Sequence, residues 1–163
     1  MSVIRSLLLV AVLMSAGGCQ STVNDLRSDP GEQRMFHISA PYATVRTNIE
    51  NTVKHCHDNG GSPVSSYRVV VTETVPGRSA NVAYWQEGIN NRPLFAIDIT
   101  GAADAGTNVT FYKSGSYAVF SEFGPYVEGW ALGTGKCAGP FPPKPLTPPA
   151  VTVLPAGTQI TPL

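Results

Sequence analysis

Charge is scarce in this 163-residue sequence and favours neither sign: eleven Lys and Arg stand against eleven Asp and Glu, so the formal net charge is zero. That balance leaves no basic stripe of the kind that grips nucleic acid or an anionic membrane surface, and no nucleic-acid partner is expected. Long apolar runs are missing as well. The longest, Ser6–Met14, is too short to span a bilayer. Catalytic patterns are equally absent. His37 has no Gly-x-Ser-x-Gly partner, and Gly124, Gly129, Gly133 and Gly135 lie around and after a helical pattern rather than between a strand and a helix start, which excludes a phosphate-cradling loop. Glu73, Glu87, Asp98 and Glu122 could pair as acid and base, but carboxylates on strands are more commonly solvated. His55-Cys56-His57 holds zinc-ligand residue types, yet residues two apart on a helix point about 200° away from each other and cannot share an ion. No enzymatic activity, cofactor or metal is expected.

The N-terminus, by contrast, is strongly patterned. Arg5 precedes the uncharged stretch Ser6–Met14, and Ser15-Ala16-Gly17-Gly18-Cys19 follows directly. A positive residue, an apolar run and small residues ending on cysteine, in that order, resemble the signal peptide and lipobox of bacterial lipoproteins. The likeness covers residues 1–19 and departs from the family at Ala16, where Leu is preferred. It implies cleavage after Gly18, leaving Cys19 as a lipidated N-terminus with a diacylglycerol thioether and an N-acyl chain. Several chains together anchor stably where one binds only marginally. Gln20 stands where inner-membrane retention usually shows Asp, which implies the periplasmic face of the outer membrane in a Gram-negative cell.

With Cys19 acylated, Cys56 and Cys137 are left from a total of three cysteines. An even pair in an oxidising exported compartment reads first as a disulfide, with two free thiols as the alternative. Closing a loop of about 80 residues would stabilise by about 4–5 kcal/mol on the chain-entropy account.

Residues 19–34 are polar, contain Asp29-Pro30-Gly31 and lack apolar periodicity, so a flexible lipidated tether is expected there. Residues 35–138 carry the pattern of one globular domain. Tyr42, Val45, Ile49, Val53 and Cys56 recur at steps of three and four, a helical stripe opened by Pro41 and stopped at Asn59-Gly60-Gly61. The period then changes to two over Tyr67–Val75, Asn81–Gln86, Leu94–Thr100 and Asn108–Lys113, with Gly- and Pro-rich connections of hairpin length. Phe123, Val127 and Trp130 return to helical spacing, and Cys137 follows the glycines that end it. The reading is a two-layer α+β sandwich, a four-stranded antiparallel meander packed by two helices in the order α-β-β-β-β-α. If both helices lie on one face, Cys137 can reach Cys56.

This layout resembles small envelope lipoproteins of proteobacteria, which implies a non-enzymatic binding or scaffold module whose partner is another envelope component. Tyr84, Trp85, Tyr112 and Trp130 offer a different possibility, an aromatic-lined cleft between sheet and helices for a small molecule or glycan, although such residues are more often core. The final segment, 139–163, has eight prolines and a single charge at Lys144. It reads as a disordered tail, with Pro142 to Pro145 as a polyproline ligand or, more blandly, a solvated spacer.

Overall fold

The helical stripe that begins at Tyr42 forms a helix, and the four stretches of period two form strands. The computed structural model describes residues 22–57, 65–88, 91–115, 123–137 and 151–163, so the signal segment and Cys19 lie outside the described residues. In chain order the elements are α1 (Val23–Ser28), β1 (Glu32–Ile38), α2 (Tyr42–His57), β2 (Ser65–Val75), β3 (Ser79–Gly88), β4 (Arg92–Gly101), β5 (Thr107–Lys113), α3 (Gly124–Ala131) and β6 (Ile160–Pro162). The α+β class stands, as does the β2–β5 meander. Among the described residues the expected four strands are corrected to six and the two helices to three, with sheet order β2-β3-β4-β5-β1-β6 and every pairing antiparallel.

The meander closes by turn chemistry. Between β2 and β3 the Arg78 amide donates to the Val75 carbonyl, and Gly77 takes φ +70°, a value that suits glycine after proline in a tight turn. Strand register then fixes the faces. Across β3, β4, β5 and β1, Ala80, Ile99, Val109 and Phe36 form one row, and Val82, Ile97 and Phe111 form the next. These rows point toward α2 and α3, where Val45, Ile49, Val53, Val127, Trp130 and Ala131 meet them in a continuous apolar core. The intervening residues, Asn81, Asp98 and Thr110, then Ala83, Ala96 and Tyr112, must point to the opposite face.

Two expectations about the chain's ends are corrected. Residues 19–34 are not a simple tether: α1 occupies 23–28, with the fully buried Leu26 on its underside, and β1 begins at Glu32. A reciprocal cap starts the helix, in which Thr22 Oγ1 accepts from the Asp25 amide and Asp25 Oδ2 accepts from the Thr22 amide. Nor is the whole of 139–163 a disordered tail, because residues 151–163 are built into the domain. Asn48 is wholly buried in α2, and its side-chain amide clasps Thr152 as a neighbouring strand would. It donates to the Thr152 carbonyl at 2.8 Å and accepts from the Thr152 amide at 2.8 Å, with a second donation to the Ala131 carbonyl at 3.1 Å. Gly133, at φ +78°, permits this approach, since a Cβ there would fall 2.5 Å from the Thr152 carbonyl oxygen. Downstream, β6 pairs with β1, and its Pro162 is tolerated because an outermost strand can spare an amide donor. The Pro142–Pro145 motif lies outside the described residues.

Candidate functional site

The cysteine expectation is met: Cys56 and Cys137 form a disulfide with Cα atoms 5.3 Å apart. It ties the C-terminal end of α2 to the segment after α3. Trp130 lies in the same region, fully buried, with its indole nitrogen donating to the Lys136 carbonyl at 2.7 Å.

The four aromatic residues proposed for a cleft are not brought together. Tyr84 and Trp130 belong to the core between sheet and helices, whereas Trp85 and Tyr112 lie on the opposite face against Leu26. Strand alternation makes this unavoidable, because Tyr84 and Trp85 are successive residues of β3 and must point to opposite sides. The core side is filled by His57 instead. Its ring is packed by Tyr84, Phe95, Phe123 and Trp130, with centroid distances of 4.9, 5.3, 5.9 and 5.7 Å. Burial lowers its pKa to about 4, and Nε2 has no hydrogen-bond partner. His57 is therefore a neutral core ring rather than a cation serving the helix dipole. Half-buried His55 lies apart from it, and no cluster of potential metal ligands occurs among the described residues.

His37 is held from both sides. Its Nδ1 is 2.8 Å from Asn108 Oδ1, and its Nε2 is 3.1 Å from Asp104 Oδ2. With both nitrogens engaged, the ring has no free position from which to activate a nucleophile. Of the candidate carboxylates, Glu73 and Glu87 pair with Arg46 and Arg68, and Asp98 is taken up as described below. Glu122 lies outside the described residues. Lys113, at the rim of the core face, meets Glu32 at 2.9 Å.

The outer sheet face is the most organised surface outside the core. α1 lies across β4 and β5, burying Leu26 against Ala83 and Ala96, with Val23, Trp85 and Tyr112 packed around them. Small alanines in register at 83 and 96 leave the room that the leucine fills. Beside this apolar plug, Arg27 forms a bidentate pair with Asp98, its Nε 2.8 Å from Oδ2 and its second nitrogen 2.7 Å from Oδ1. Asn81 adds a third donor to Asp98 at 2.7 Å. The hydrogen bond to Asp98 raises the Arg27 pKa, and burial together with the nearby carboxylate raises that of Tyr112. Arrangements of this sort hold a helix in place, and charge-assisted forked pairs are the strong ones. Sequence reading passed over this site. The Thr22-x-x-Asp25 spacing is the signal that could have found α1, and the Arg27–Asp98 pairing across 71 residues has no local signature.

No helix among the described residues is long and apolar enough to cross a membrane. The chain matches no protein-family model, and none of the curated proteins compared with it is a match.

Proposed function

We propose that this chain is a lipid-anchored envelope protein, tethered through Cys19 to the periplasmic face of the outer membrane, and that it acts there as a non-enzymatic binding or scaffold domain for another envelope component. The observation that supports the reading best is the Cys56–Cys137 disulfide, because such bonds persist in oxidising exported compartments and are rare in reducing ones. Together with the signal-like residues 1–18 and the small residues before Cys19, it argues for export. Engagement of both His37 nitrogens and the aromatic packing of His57 argue for a scaffold rather than a catalyst.

Cys19→Ser tests the anchor. The variant is expected to move from the membrane fraction to the soluble periplasmic fraction, and the intact mass of the wild type to exceed that of the bare mature chain by its acyl groups. Retention of the variant in membranes rejects the reading. Cross-linking in intact cells tests the scaffold role, with an adduct to another envelope component as the expected product and monomer alone as the rejecting result.

A further inference from the structure

A tether of 16 residues would let the domain float free of its membrane, but α1 removes most of that slack. The helix α1 is capped at Thr22, three Cα steps along the chain from Cys19. At about 3.5 Å per residue those steps span at most about 10 Å. A domain of this size has a radius of gyration of about 14 Å, so the leash is shorter than the body it holds. Whatever orientation the domain takes, the start of α1 stays within about 10 Å of the point where the lipid enters the bilayer, and the headgroup layer itself is several ångströms deep.

We infer that the outer sheet face around α1 is seated against the membrane interface by this short leash, with the lipid headgroup layer as its occupant. The inference rests on acylation of Cys19. Two further observations favour a headgroup surface over a protein partner here. Trp85 and Tyr112, half-buried against Leu26, are the amphipathic aromatics that settle at the depth of lipid headgroups. The charges beside them are already paired, Arg27 with Asp98 and Arg68 with Glu87, so seating does not depend on anionic lipid.

The chain's two tryptophans make the test direct, because Trp130 is buried on the far side of the sheet and serves as an internal reference. The full lipidated protein is placed in phosphatidylcholine vesicles that carry a contact-range quencher at headgroup depth. It is compared with a version bearing about twenty Gly/Ser residues inserted after Gln20, whose root-mean-square reach of about 25 Å releases the leash. Flotation with the vesicles is recorded for both. Tryptophan quenching at least twofold greater in the natural protein, and lost in Trp85→Phe, is the expected result. Equal quenching in the two floating proteins overturns the seating while leaving the anchor intact. If the natural protein fails to float, the lipid-anchor reading falls and the seating falls with it.

Discussion

On the core face of the sheet, His57 sits uncharged inside a shell of aromatic rings. On the outer face, Arg27 and Asp98 meet as an ion pair at the margin of solvent. The first side is closed by two helices and a disulfide, and its interior excludes charge. The second is closed by a single six-residue helix, too short to be stable in isolation and held by one leucine plug and one forked pair. The difference separates two jobs within one sheet. The core face holds the fold together, and the outer face captures α1.

That contrast can be broken most severely from the core side. Trp130→Ala removes a ring packed against His57, Phe95 and Phe123 and is expected to cost about 3–5 kcal/mol in denaturant unfolding. A smaller loss would show that the α3 side of the core can collapse into the space. Acid is the next test. An unfolded chain protonates His57 near its ordinary pKa of 6.5, while the folded protein resists until about pH 4. The unfolded state therefore binds more protons in this window, and stability falls as pH drops from about 6.5 to about 4, by up to about 3 kcal/mol. Comparison of unfolding curves for the wild type and His57→Phe isolates this contribution, since the variant lacks the titrating ring. Parallel pH profiles for the two proteins would reject it.

Outer-face changes should be milder. Leu26→Ala is expected to cost about 2 kcal/mol, because the exposed side of α1 lets the site relax toward solvent. Trp85 emission should shift to the red while the Trp130 contribution stays put, and equal loss of both signals would mean that the faces are not separable. Smallest is Asp98→Asn, which weakens the clamp on Arg27. The pair is partly solvated, so a loss of about 1 kcal/mol is expected by the same unfolding assay.

Elements whose apolar pattern repeats within themselves were legible in the sequence. The α2 stripe from Tyr42 to Cys56 is visible locally, and with Cys56 at its end and Cys137 after the last helix a disulfide is the first reading, two free thiols the other. The β2–β5 strands extend one or two residues beyond the expected limits at several ends, where pairing continues past the apolar alternation. Strand β1 was missed because its outward residues are Gln33, Met35 and His37 and only Phe36 and Ile38 of its inward ones are apolar. Its identity comes from register with β5, beginning 69 residues beyond its own end. β6 was hidden by a still longer separation from β1 and by Pro162. The tail's eight prolines concealed the partner of Asn48, a buried polar residue of α2 whose purpose appears only when Thr152 is beside it. The four aromatic residues of the candidate cleft fall in two separate clusters, and the alternation that separates Tyr84 from Trp85 was already in the sequence.

The pairing of β6 with β1 also sets an order in time. A chain synthesised N-terminus first presents Glu32–Ile38 early, and β5 must follow before that strand has any partner. Its other edge stays open until Ile160–Pro162 is in place, when the Leu163 amide reaches the Met35 carbonyl. Contacts so distant along the chain form slowly, because the intervening loops must close first. In the interval an uncapped strand edge is open to pairing with another chain, and the β1–β6 pairing removes that edge.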